Sequence, residues 1–387
     1  MKPIDLREFG SGVEVELASD VAAALARSGV VSVAPRGAKR WLLTAGDKVG
    51  AAKVAGVELH IRPKMPIARL FFLLGYARNP RGWREEDVLV WSEEDLVPAM
   101  ARAFERQADR AVRRGLLQGY RTIEDSLPVL RGRLRATDQM RRRFGLAVPL
   151  EVRYDDFTID IPENQLLLAA TRRLLRLPRV PQETRHRLRR LAIRFADVAP
   201  LAPGVPLPTW RPSRLNSRYQ NVLHLAEIIL AGGSIDLDGE DVVISGFLLD
   251  MWRVFEDFTT VALGEALRGR GGRTALQGEH HFDDRAEVVI RPDLVWYRGD
   301  RPSAVLDAKY KRHKGKSAPN ADLFQMLAYC TVFGLDRGHL LYAGGHGVRV
   351  HTVREAGIEI RQHALDLELP PAELLEQVDA VAAQLVT

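Results

Sequence analysis

At 387 residues, 46% of them hydrophobic, the chain exceeds one ordinary core, which predicts two or three globular domains. No apolar run approaches the roughly 20 residues that span a bilayer, and the opening MKPIDLREFGSG lacks the apolar stretch of a secretory leader. The single cysteine, Cys330, excludes an internal disulfide framework and a cysteine-based zinc site, so a cytoplasmic protein with no membrane partner is expected.

The net charge of +6 is unevenly spread. Nine arginines and one acid, Glu183, lie between Arg172 and Arg194, and a second arginine-rich stretch runs from Arg102 to Arg143. Such stretches read either as a surface for a polyanion or as solvated helix faces.

In chain order, residues 1–78 read as a β-rich domain. Gly12–Leu17, Val30–Val33, Trp41–Thr44 and Val57–Ile61 are short strand-like runs divided by glycines, as in a small barrel or sandwich. Ser19–Arg27 reads as a helix, and the prolines of HIRPKMP (60–66) close the last strand before a buried helix at Ile67–Tyr76. Residues 79–212 read as a mainly helical, basic middle domain. Glu93–Leu117 carries a 3.6-residue apolar period, Pro128–Leu134 is a basic turn, and Leu150–Ile161 is extended. Pro162 sits at the favoured first position of a helix running to Leu175, Arg185–Phe195 is a basic helix, and five prolines between Pro200 and Pro212 mark a boundary.

Residues 213–387 read as an α/β unit with a mixed sheet. Helices are expected at Asn216–Leu230 and Phe247–Leu267, with a hairpin of Ile235–Leu237 and Val242–Ser245 between them. Two strands in Glu287–Lys311 follow, joined by a turn at Arg298–Pro302. Helix Asp322–Phe333, strands His339–Ala343 and Val348–Val353, and a terminal helix Pro370–Leu385 complete the unit. The fold class is therefore multidomain α/β.

The chemistry concentrates in EVVIRPDLVWYRGDRPSAVLDAKYK (287–311). With period-two alternation, Val288, Ile290, Pro292, Leu294 and Trp296 share one strand face and Asp293 points to the other. On the second strand Asp307 and Lys309 share a face. This is the layout with which PD-(D/E)xK nucleases hold a divalent metal against a phosphodiester. Hard cations such as Mg²⁺ take oxygen ligands: Asp293, Asp307 and the backbone carbonyl of Ala308 supply them, and Mn²⁺ suits the same donors. Lys309 is placed to orient a water or meet developing charge. The bland reading is a hairpin with a solvated charged face.

Two further features favour the site. Glu256 lies on the polar side of the preceding helix, within WRVFEDF, where this nuclease class often has an extra metal ligand. Gln325 and Tyr329, at i and i+4 in QMLAY, share a helix face and match the Q-x-x-x-Y of the RecB-like branch, which makes Gln325 a catalytic candidate and Tyr329 a DNA contact. Lys311, Arg312, Lys314 and Lys316 leave the second strand as a basic run suited to DNA phosphates. Gly315-Lys316-Ser317 is not a P-loop, because Tyr310 stands where its first glycine belongs; no nucleotide-binding fingerprint is present. His280, His281, His339 and His346 lack partners at ligand spacing and read as core or surface residues.

Along nearly its whole length the chain resembles the McrC component of McrBC-type 5-methylcytosine restriction systems. The matching stretches are IRPKMPIARLFFLLGYA (61–77), RGLLQGYRTIEDSLPVLRGRL (114–134), DDFTIDIPENQLLLAATRRLL (155–175), WRVFEDF, RPDLVW, LDAKYKR and DLFQMLAY. The resemblance implies that Asp293, Asp307 and Lys309 are catalytic. It also implies that residues 1–78 seat in a McrB-like AAA+ GTPase ring and stimulate its GTP hydrolysis. The C-terminal domain is implied to cut double-stranded, modified DNA, with self-association through the nuclease end as a further expectation. A non-catalytic activator of an AAA+ ring and a stand-alone RecB-like repair nuclease are the alternatives.

Overall fold

The computed structural model describes residues 3–82, 95–144, 146–202, 204–232, 244–310, 320–345 and 347–386. The expected hairpin at 235–245 and the basic run 311–316 fall largely or wholly outside these residues. The chain divides into two compact units, one made of Met1–Ala99 with Ser234–Thr387 and the other of Met100–Gly233.

In chain order the first unit opens with strands β1 (Ile4–Arg7) and β2 (Val13–Glu16), helix α1 (Ser19–Arg27), and strands β3 (Val31–Gly37), β4 (Arg40–Ala45), β5 (Lys48–Val54) and β6 (Val57–Arg62). Helix α2 (Ile67–Arg78) and the start of α3 (Leu96–Val112) follow. The second unit continues with β7 (Gly119–Leu127), β8 (Arg133–Leu134), α4 (Ala136–Arg143), β9 (Leu150–Thr158), α5 (Pro162–Arg176), α6 (Gln182–Arg194) and α7 (Gln220–Ala231). The chain then returns to the first unit with β10 (Ile244–Asp250), α8 (Met251–Leu267), β11 (Arg273–Leu276), β12 (His280–His281), β13 (Val289–Ile290), β14 (Leu294–Arg298) and β15 (Arg301–Lys309). It ends with α9 (Asn320–Phe333), β16 (Arg337–Ala343), β17 (Arg349–Thr352), β18 (Glu359–Leu365) and α10 (Pro371–Leu385).

Residues 1–78 and 213–387 were expected as separate domains on either side of a helical middle domain, 79–212; in the structure most of both segments falls in one compact unit. The reason is a strand pairing. β10 runs antiparallel to β5 from Ile244↔Val54 to Asp250↔Lys48, completing a sheet of order β1-β6-β5-β10. Glycines permit the close approach: a Cβ on Gly50 would lie 2.1 Å from the Phe247 carbonyl oxygen, and one on Gly246 would lie 2.3 Å from that of Ala51. Gly50 also has φ +133°, a conformation that L side chains rarely adopt. The run Phe247–Asp250, expected to begin a helix, is strand; a short apolar run fits a buried strand or a buried helix equally well. The helix starts one residue later, where Met251 N–H donates to the Asp47 carbonyl at 2.9 Å and Asp250 pairs with Lys48. β2, β4 and β3 form a second, three-stranded sheet.

The site sits on a six-stranded mixed sheet of order β11-β14-β15-β16-β18-β17. β14 and β15 form an antiparallel hairpin in which Arg298 pairs with Arg301 across Gly299 (φ +64°) and Asp300. β15, β16 and β18 are mutually parallel, so the chain crosses from β15 to β16 through α9, as parallel pairing requires. α9 packs on the sheet through Met326, Tyr329 and Cys330, which join Val295, Val305, Leu340, Tyr342 and Ile360 in one buried cluster. α8 also contacts β15 and is backed by α2 and α10; Phe72 and Tyr76 of α2 meet Phe258 edge-on at 5.5 and 5.7 Å.

In the second unit α5 packs on α6 and α7, and β7-β9-β8 form a three-stranded sheet whose outer aromatic pair, Tyr120 and Phe157, is exposed with ring centroids 5.1 Å apart. Among the described residues no helix is long and apolar enough to cross a membrane.

The β5–β10 approach makes a specific stability prediction. Gly50→Val should cost at least about 2 kcal/mol, because it adds both a steric clash and an unfavourable φ. Urea unfolding of the full chain measures this, and an unchanged midpoint would contradict the pairing.

Candidate metal and catalytic site

The site begins with a break in a strand. A continuous strand from Val288 to Trp296 was expected, but Pro292 has no N–H to give to a ladder. β13 therefore pairs with β12 in a separate two-stranded sheet, and β14 begins only at Leu294. Asp293 occupies the break, where it is 9% exposed. Its Oδ2 accepts the Ala308 N–H at 2.6 Å, and its carbonyl accepts the Gln277 N–H at 3.1 Å.

Asp307, 3% exposed, lies near the end of the central strand β15. That strand is covered on both sides, so its residues do not alternate between a buried and a solvated face as an exposed hairpin would. Lys309 ends the strand; its ammonium is ion-paired with Asp307 and donates to Gln325 Oε1 at 2.8 Å. Gln325 Nε2 donates to the Tyr329 hydroxyl at 2.9 Å, and that hydroxyl reaches the Arg291 carbonyl at 3.4 Å. The two α9 residues thus hold the lysine from one side. Tyr329, expected at the DNA, is 3% exposed and engaged in this network; with Val289, Ile290, Arg291, Gln325 and Ala328 it lines a cleft of about 400 Å³.

Glu256 projects from α8 towards the same place. It is half-buried, accepts a hydrogen bond from Gln277 Nε2 at 2.7 Å, and acts electrostatically on both aspartates. Gln277 is a residue that sequence reasoning missed. It follows the unforeseen strand β11, adopts φ +49°, and touches Glu256 with its side chain and Asp293 with its backbone. Asp322 of α9, buried and accepting the Tyr342 hydroxyl at 3.1 Å, was also missed. Nothing in the spacing of either residue marks it. Lys311, Arg312, Lys314 and Lys316 lie outside the described residues. His339, expected as a core or surface residue, is buried and stacked on His363 with 2.9 Å between Nδ1 and Nε2.

Burial is the first cause that raises the Asp293 carboxyl above the usual carboxylate range; the charges of Asp307 and Glu256 add to it, against the Ala308 N–H and Lys309. Asp307 is raised for the same first reason, with Glu256 and Asp322 pushing it further and Lys309 pulling it back. Two buried acids and a third beside them outnumber the Lys309 ammonium that faces them. Among the described residues no three His, Cys, Asp or Glu side chains stand together as a group that could hold a metal ion; the oxygen donors present are of the type a hard cation takes. Asp307 Oδ2 is held by the Lys309 ammonium. In an extended strand a residue's N–H and C=O leave from the same edge, which puts the Ala308 carbonyl on the edge whose N–H reaches Asp293.

Comparison with known proteins adds to this geometry. A family model described as McrBC 5-methylcytosine restriction system component matches residues 43–343. The chain belongs to this family. The match extends through both compact units and takes in every candidate residue from Glu256 to Tyr329. A chain of the refined half-complex from a tetradecameric assembly of Thermococcus gammatolerans McrB AAA+ hexamers with bound McrC aligns with this McrBC-family chain at a TM-score of 0.61 and 18% identity. The alignment covers 99% of this chain and 100% of that one, and it shows a shared fold. A chain of the cryo-EM structure of the T. gammatolerans McrBC complex aligns at a TM-score of 0.42 and 19% identity, over 69% of this chain and 88% of that one. No curated protein matches.

The raised carboxyls have a measurable consequence for stability. A group whose folded-state pKa is raised contributes stability that is fully present below its unfolded pKa and lost as pH rises through the folded value. Without divalent metal, Asp293→Asn should therefore be more stable than the unaltered chain at pH 8, by on the order of 1 kcal/mol, with the gap closing towards pH 5. Thermal unfolding across that range is the check; a variant that is less stable at every pH would refute the charge repulsion inferred here.

Proposed function

We propose that the chain is the nuclease subunit of an McrBC-type restriction complex, a PD-(D/E)xK-type, metal-dependent endonuclease acting on modified double-stranded DNA in the cytoplasm under the control of an AAA+ GTPase ring. The observation that carries this reading is the convergence of Asp293, Asp307 and Lys309 at one end of β14 and β15, with Glu256 behind them.

Asp293, Asp307, the Ala308 carbonyl and Glu256 would hold Mg²⁺, or Mn²⁺ in its place. When bound, the cation supplies charge neutralisation at the phosphate and a more acidic water. The remaining work belongs to the chain's own side chains. Asp307 and Gln325 hold the Lys309 ammonium from two sides, so it meets developing negative charge without first reorganising. Tyr329 fixes the amide of Gln325, and Gln277 fixes Glu256. The basic residues Lys311, Arg312, Lys314 and Lys316 bind backbone phosphates, which positions DNA without reading sequence.

The ring partner is supported by the family match and by the solved assembly of McrB hexamers with bound McrC. In this reading residues 1–78 meet the ring and stimulate its GTP hydrolysis, the basic middle region 79–212 extends that contact, and residues 213–387 supply the cutting residues. Two nuclease ends pair when complexes meet on DNA.

Asp307→Ala or Lys309→Ala, assayed in the complex with the AAA+ partner, should reduce DNA cleavage by about 10²-fold or more. Stimulation of GTP hydrolysis should stay at the unaltered level. Undiminished cleavage by either variant would overturn the assignment, and loss of GTPase stimulation alone would favour the activator reading.

A further inference from the structure

The motif IRPKMP (61–66) has no role in the site described so far, yet its lysine stands directly behind that site. Tyr310 follows Lys309, and successive residues of an extended chain point to opposite sides. The Tyr310 side chain is buried. Its ring centroid lies 5.8 Å from that of Phe255 and 6.3 Å from that of Phe9. Lys64 Nζ stands 4.1 Å from the Tyr310 centroid and 5.4 Å from that of Phe9, within the range of a cation–π contact.

Lys64 is itself held. Its backbone N–H donates to Glu8 Oε2 at 3.0 Å, and Glu8, buried beside Tyr310, is tied back by its own N–H to the Arg62 carbonyl at 2.9 Å. Phe9 adopts φ +51°, which costs free energy in a bulky residue and persists only where surrounding contacts impose it. The cluster thus joins three parts of the chain. Tyr310 is the neighbour of Lys309, Phe255 is the neighbour of Glu256, and Glu8, Phe9 and Lys64 come from the N-terminal segment.

We propose that Lys64 is a positioning residue of the cleavage site: by holding the Tyr310 ring it fixes the end of β15 so that the Lys309 ammonium meets Asp307 and Gln325. The inference rests on the nuclease reading above and deepens it, because it makes the N-terminal segment part of the cutting site as well as a contact for the ring. Arginine at position 64 keeps the cation over the ring, whereas methionine keeps the stem and loses the charge. Leucine at position 310 removes the ring and leaves Lys64 untouched.

The test uses the full chain in complex with its AAA+ partner. Lys64→Met should lower kcat for DNA cleavage about tenfold, a moderate effect for misplacing a reacting group, with KM for DNA within about twofold of the unaltered value. Tyr310→Leu should reproduce this, and Lys64→Arg should restore kcat to within about threefold. Hydrogen exchange of the amides of residues 306–310 should quicken in Lys64→Met and Tyr310→Leu, be restored in Lys64→Arg, and stay unchanged over β18. Either of two results would overturn the proposal: unaltered kcat and exchange in Lys64→Met, or a rise in KM in place of the fall in kcat. If the unaltered complex cuts no DNA, the nuclease reading fails; the exchange measurements and their rescue by arginine, which need no DNA, still decide whether Lys64 holds the strand end.

Discussion

Two carboxylates buried side by side are unfavourable, and the arrangement around Asp293 and Asp307 follows from that constraint. Each would be more stable in water or neutralised. The protein keeps them by dividing the load: Asp293 takes a backbone N–H from the neighbouring strand, and Asp307 takes the ammonium of the residue two places on. Neither partner supplies enough charge to return the acids to the ordinary carboxylate range. Under the proposed reading, a bound cation would offset this repulsion and return the stability it costs.

The scaffold delivers this pair through ordinary rules of sheet construction. Pro292 ends one ladder and leaves Asp293 outside the next, free to turn its carboxylate towards Ala308. β15 occupies a central position, so its end is enclosed between α8 and α9, and each helix contributes a polar group to an otherwise apolar interior. Gly338 permits the close packing of α9, since a Cβ there would lie 2.5 Å from the Met326 sulfur. The polar network therefore stands on packed apolar surfaces, which hold it more narrowly than loops would.

Much of the site could be read from the chain because its chemistry restricts residue type and spacing. Asp293, Asp307, Lys309, Gln325 and Glu256 stand close enough to bond or to act on one another's charge. The long amphipathic helices were also legible, since α3 and α5 carry the 3.6-residue stripe. The missed strands lack a pattern. β5 reads KVGAAKV, small residues buried on both faces, and β18 reads EIRQHAL, in which Gln362 and His363 are buried despite their polarity. One edge of β5 is covered by β10, which is distant in sequence, and no local periodicity reports such a neighbour. Gln277 was invisible for the same reason, because its two contacts come from α8 and from the break before β14.

The β5–β10 pairing also bears on biosynthesis. The edge of β5 is complete early, but the strand that covers it emerges from the ribosome only after the whole of Met100–Gly233 has been made. Loop closure over that span is an entropic cost to be met before the contact returns anything. Until then β5 presents an unpaired edge, and α8, which begins where β10 ends, has no anchor for the turn that carries Glu256. Assembly of the site is thereby tied to completion of the polypeptide.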